Sequence, residues 1–211
     1  MGKRRGHPAA REGGRRGSRA RGSGAERAPR KTVAERLDAG EISRDDAVEK
    51  AREVVLRILT AAQRSRRELE QSLARKGYPE DVVEQVLDRF DEVGLVDDAT
   101  YAETIVRTRH AERGLARRGI AAELRRRGID EDTATEALDQ LDPDDERVAG
   151  AKLASKLVTR TRSLDREVRV RRAVGSLARK GYAPGLAFEL VRDALAAEGE
   201  ETDDLVGVDI D

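Results

Sequence analysis

The hexapeptide Leu73-Ala74-Arg75-Lys76-Gly77-Tyr78 recurs without change as Leu177-Ala178-Arg179-Lys180-Gly181-Tyr182. A degenerate copy, Leu124-Arg125-Arg126-Arg127-Gly128-Ile129, lies between them, so a glycine in the same setting returns at intervals of about 50 residues. Before each glycine runs a basic segment of helical character, and after it an acidic one with apolar residues at helical spacing. Gly77, Gly128 and Gly181 follow a basic last turn, the place of a C′ glycine with positive φ that ends a helix. Tyr78 and Tyr182 then sit where an apolar residue packs back onto the helix just ended, a role favoured over the alternative of stacking on nucleic-acid bases.

Other punctuation agrees with this register. Ser65-Arg66-Arg67-Glu68 is a capping box opening the segment that ends at Gly77. Pro79 and Pro184 stand where a following helix starts, and Asp142-Pro143 reads as N-cap and first helical residue. Ahead of each basic helix runs a longer amphipathic one. Ala47, Ala51, Val54, Val55, Ile58 and Leu59 line one face of the first; Tyr101, Ile105 and Val106 begin the second; Val148, Ala151, Leu157 and Val158 mark the third. Each unit is thus predicted as a three-helix bundle, three helices being the fewest that enclose a core of this size. The expected organisation is a basic Gly/Arg-rich disordered tail and lead-in over 1–44, repeats over 45–93, 97–141 and 143–197, and an acidic tail over 198–211. Short links predict an elongated, curved array of all-α units.

Composition supports helices and narrows the chemistry. Charged residues make up 40% of the 211 and aromatics 2%, which suits Ala/Leu/Arg/Glu helices and not a β-sandwich. With no cysteine, disulfides, thiolate catalysis and cysteine zinc sites are excluded. His7 and His110 are the only histidines, and no P-loop, serine elbow or triad pattern occurs. His110, beside Arg109, reads as a solvated surface histidine, and Asp97-Asp98 and Asp142–Asp145 as helix caps and first-turn acids. No apolar run approaches the ~20 residues that span a bilayer. A cytoplasmic, non-enzymatic protein without cofactor or metal is expected.

The zero net charge is an average over unlike parts. Residues 1–31 hold eleven Lys/Arg against Glu12 and Glu26, and residues 196–211 hold seven acids and no base. The first segment reads either as a nucleic-acid-binding arm or as a solubilising extension. Between the tails, helices alternate in sign: residues 107–127 carry eight Arg against Glu112 and Glu123, whereas 130–146 hold nine acids and no base. One reading is internal complementarity between neighbouring helices; the other is a long surface with basic and acidic edges for a periodic partner. Tyr101 can serve in either the core or a contact surface.

The sequence resembles the RecX family, bacterial regulators of the RecA recombinase. The resemblance rests on the repeated Leu-Ala-Arg-Lys-Gly-Tyr, on Phe90-Asp-Glu-Val-Gly-Leu-Val-Asp-Asp-Ala-Thr-Tyr101-Ala-Glu-Thr-Ile-Val-Arg-Thr-Arg109, and on Glu123-Leu124-Arg-Arg-Arg-Gly128-Ile129. It covers about residues 45–197. It departs at Arg118-Gly119-Ile120, where a glycine enters the family's usual basic–aliphatic pair, and in the long basic tail. The resemblance implies a monomer lying in the groove of a RecA–single-stranded DNA filament, bridging subunits. It would restrain ATP hydrolysis, strand exchange and coprotease activity in recombination, DNA repair and the SOS response. On that reading Arg107, Arg109, Arg117, Arg118, Arg125, Arg126 and Arg127, supported by Tyr101, form the main contact face, joined by Arg169, Arg172, Arg179 and Lys180. The alternative is an autonomous DNA-binding protein acting through its basic tail and arginine-rich helices.

Overall fold

A computed structural model describes residues 31–199. The expectations for the basic arm before residue 31 and for the acidic tail from residue 200 lie outside the described residues. Ten α-helices, and no strand, occur among those described. After α1 (Val33–Asp38) come α2 (Arg44–Ala61), α3 (Arg66–Ala74) and α4 (Glu80–Glu92). Then follow α5 (Asp98–Arg113), α6 (Arg117–Arg126) and α7 (Glu131–Leu138), and finally α8 (Pro143–Arg160), α9 (Arg166–Arg179) and α10 (Pro184–Ala197). Each set of three packs on itself and encloses its own core.

The cores follow from the spacing of apolar residues. In the first, Ala47, Ala51 and Val55 of α2 meet Leu69 and Leu73 of α3 and Val82, Val86, Leu87 and Phe90 of α4. The second is built on Ala102, Ile105, Val106, Ile120, Leu124 and Leu138, the third on Ala154, Val158, Val174, Leu177, Leu190 and Leu195. Each fully buried Leu or Val contributes about 1.5–3 kcal/mol. A unit of this size still buries too little surface to be robust alone, so contacts between units matter.

Gly77, Gly128 and Gly181 end α3, α6 and α9 with φ of 78°, 77° and 94°. The next residue closes each turn: Tyr78, Ile129 and Tyr182 donate their N–H to the carbonyls of Leu73, Leu124 and Leu177. Ser65 caps α3 reciprocally with Glu68, and Asp97 and Asp142 cap α5 and α8.

Three local expectations are corrected. The basic run 107–127 is not one helix: Gly114 takes a left-handed conformation (φ 56°), leaving Arg107, Arg109 and Arg113 on α5. On α8, Val148 is 51% exposed and Ala151 is exposed. The buried stripe there is Gly150, Ala154 and Val158, with glycine at the point where Leu190 of α10 and Tyr182 come too close for a side chain. A Cβ at Gly150 would lie 2.6 Å from Leu190 and 2.7 Å from Tyr182. Finally, the lead-in contains α1, opened by a Thr32–Glu35 capping box.

The units join end to end through their basic helices. Lys180 O at the end of α9 accepts from Ala116 N at the start of α6 (3.0 Å). Arg127 O at the end of α6 accepts from Ser65 Oγ at the start of α3 (2.5 Å). Gly77 O after α3 accepts from Ala34 N of α1 (2.9 Å). Orphan carbonyls at one helix terminus thereby meet donors at another, with the helix dipoles in sequence. The next unit also supplies a carboxylate: Asp98 Oδ1 accepts from Arg66 N (2.9 Å), and Glu146 Oε2 from Arg117 N (2.7 Å). Gly119 is required at the second joint, where its Cβ would stand 2.3 Å from Lys180 O. That contact accounts for the glycine inside Arg118-Gly119-Ile120.

Candidate partner-binding surface

The arginines fall into two groups. Glu123 on α6 centres the inward group, accepting from Arg109 Nε (2.9 and 3.0 Å) and from Arg127 Nη2 (2.8 Å). Arg127 also reaches Glu68 of the first unit (3.4 Å) and donates to the Tyr101 hydroxyl, which donates to Glu68 (3.3 Å). Tyr101 is 8% exposed, with the Arg127 guanidinium 5.6 Å from its ring centre. The Arg109 and Arg127 guanidinium groups hold the Glu123 carboxyl down at about 2. This network spans the joint between the first two units.

Among the described residues Arg169 is the most buried charge, 2% exposed on α9. Its Nη2 donates to Val158 O (3.0 Å) and Glu198 Oε2 (2.6 Å). Hydrogen bonds from Arg162 and Arg169 keep the Glu198 carboxyl at about 2. Arg117 donates to Leu138 O (2.7 Å) and Asp139 (2.6 Å), and the Lys180 ammonium to Arg113 O.

Tyr101, Arg109, Arg127 and Arg169, expected on an exposed contact face, are therefore turned inward. Each is placed where a carboxylate of a neighbouring helix or unit can satisfy it. Arg117 and Lys180 are half-buried and belong to the joints. His110, expected as a solvated residue, is half-buried, with Nδ1 3.4 Å from Leu115 O.

Arg107, Arg118, Arg125, Arg126, Arg172 and Arg179 are exposed. None of them has a carboxylate within salt-bridge reach among the described residues. Arg118 and Arg125 share one face of α6, seven residues apart. Residues missed by the sequence reading complete a pattern: ten and two residues before the repeat glycines stand Arg67 and Arg75, Arg118 and Arg126, and Arg171 and Arg179. All six are exposed. The repeat register was the signal that could have found Arg67, Arg75 and Arg171.

Fold and surface together define a tandem three-helix-repeat protein that presents regularly spaced arginines. Among the described residues there is no group of acids and histidines able to hold a metal ion, and no helix long and apolar enough to cross a membrane. Residues 51–90 match the family model described as the first three-helix domain of RecX, and residues 97–138 the one described as its second. The Regulatory protein RecX of Thermobifida fusca is 51% identical over 164 residues, covering 78% of this chain and 89% of that protein. Its counterpart in Streptomyces coelicolor is 45% identical over 174 residues, covering 82% and 92%. A crystal structure of RecX from Lactobacillus salivarius superposes with a TM-score of 0.62 at 25% identity, covering 71% of this chain and 97% of that one. The chain belongs to the RecX family of regulatory proteins.

Proposed function

We propose that the protein is a non-enzymatic regulator that binds the RecA filament on single-stranded DNA and restrains its ATP hydrolysis, strand exchange and coprotease activity. Membership of a family of regulatory proteins supports this reading. The observation that carries it is the set of exposed arginines repeated from unit to unit, those of the second and third units having no carboxylate partner among the described residues, while inward arginines fix the joints. A series of separate small cores sets such groups at intervals, as a partner made of repeating subunits requires. Guanidinium groups suit both partners, since they pair bidentately with carboxylate and with phosphate.

The test is titration of the protein into RecA's DNA-dependent ATPase. Wild type should inhibit, and Arg125→Glu with Arg126→Glu should weaken inhibition at least ~10-fold with helical circular dichroism unchanged, ~1.4 kcal/mol being a factor of ten. Arg127 is left intact, because reversing it would break the joint with Glu68 and Glu123. Absence of inhibition by wild type would remove the functional reading; full inhibition by the double variant would remove the residue assignment. The autonomous DNA-binding alternative draws on the basic arm, and its mark is high affinity for DNA without RecA.

A further inference from the structure

A cleft of about 620 Å³ opens between the end of α8 and the outer face of α9, and four guanidinium groups line it: Arg160, Arg171, Arg172 and Arg179. None of the four pairs with a carboxylate among the described residues, whereas neighbouring Arg162 and Arg169 share Glu198. Arg172, Ser176 and Arg179 follow one another at i, i+4 and i+7 along α9, a stripe of about 10 Å at ~1.5 Å per residue. Arg160 faces them from α8, and Leu157 adds an apolar patch.

Clustered like charges repel, and no acid among the described residues relieves these four. A ligand that does so must carry several negative charges in series. A phosphodiester chain meets that demand: each phosphate offers paired oxygens to a guanidinium fork, with the Ser176 hydroxyl as a further donor and Leu157 beside the sugars. The choice of arginine at all four positions favours this planar, bidentate pairing over diffuse attraction. The eleven Lys/Arg of residues 1–31 put a second polycation on the same chain, as suits a partner whose charge extends beyond the cleft.

We propose that the α8–α9 cleft binds the phosphate backbone of single-stranded nucleic acid. The proposal deepens the filament reading, which supplies the strand, but it is tested without RecA. Binding of the full chain to a labelled oligothymidine is followed by fluorescence anisotropy across a salt series. Arg171→Glu, Arg172→Glu and Arg179→Glu together should weaken binding at least ~10-fold at low salt. The slope of log K against log salt should fall in magnitude by about 2, at ~0.7 per lost phosphate contact. Arg160→Gln with Arg179→Gln, a milder change, should lower the slope by about 1.4. Arg89→Glu, on α4 outside the cleft, should leave both quantities unchanged within ~2-fold.

Wild-type affinity and slope in the folded cleft variants would overturn the proposal, as would no binding of the oligonucleotide by wild type. Loss of RecA-filament binding with oligonucleotide affinity retained would assign the cleft to an acidic protein surface, and also overturn it. Loss of oligonucleotide binding by the variants in a protein that never binds RecA would support the cleft and refute the filament reading.

Discussion

Replacing Glu123 by Gln keeps the side chain's shape and removes its charge from between Arg109 and Arg127. The carboxyl sits near 2 rather than at its ordinary 4.5. At ~1.4 kcal/mol per pH unit that difference is worth up to about 3 kcal/mol. Breaking a fully buried ion pair costs ~3–5 kcal/mol and an exposed one ~0–1. With the Glu123 side chain 13% exposed, a loss of about 2–3 kcal/mol is expected at pH 7. A carboxylate whose pKa is depressed on folding contributes its full stability above the ordinary pKa and loses it as pH falls through the folded value. The gap between wild type and Glu123→Gln should therefore be constant down to about pH 5, be more than half gone by pH 3 and vanish below pH 2. Urea unfolding followed by circular dichroism at a series of pH values measures it. A gap under ~0.5 kcal/mol at pH 7, or one that does not narrow in acid, would refute the network as the lock of the first joint.

Gly119→Ala would place a methyl group 2.3 Å from Lys180 O, so a net loss of about 1–3 kcal/mol is expected despite alanine's better helix propensity. Hydrogen exchange at the Ala116 amide should accelerate, and unchanged protection would deny that this joint depends on a bare backbone. Ser65→Ala removes both a cap on Glu68 N and a donor to Arg127 O, and should cost ~1–2 kcal/mol in denaturant titration. Arg169→Leu should lower stability by about 2–4 kcal/mol, since Glu198 and Val158 O lose a buried donor. The folded Arg169→Leu protein should still inhibit RecA at wild-type potency; loss of inhibition without loss of stability would return Arg169 to the contact surface.

What was legible in the sequence was punctuation. The C′ glycines, the Ser65 capping box and Asp142-Pro143 act within a few residues, so their geometry can be read from local chemistry. The direction of each arginine was not legible. Arg107 and Arg109 are two residues apart on α5, which turns them about 200° from each other, and only Arg109 meets Glu123 of α6. That meeting depends on how two helices cross, which no local pattern states. The face of α8 was misread because valine outranks glycine in apolarity, whereas close packing on α10 favours the smaller residue at Gly150. The first helix, by contrast, carried a readable signal in Thr32 and Glu35, obscured by the basic composition before it.

On the proposed function, the outward arginines of a jointed series of helical units grip the RecA filament. Co-sedimentation with RecA assembled on single-stranded DNA in a non-hydrolysable nucleotide tests it most directly. Wild type should pellet saturably with the filament and far less with the same DNA alone. The variant Arg118→Glu, Arg125→Glu, Arg126→Glu should stay in solution with its helical content intact. Equal pelleting of that variant, or no gain from RecA over bare DNA, would contradict the account.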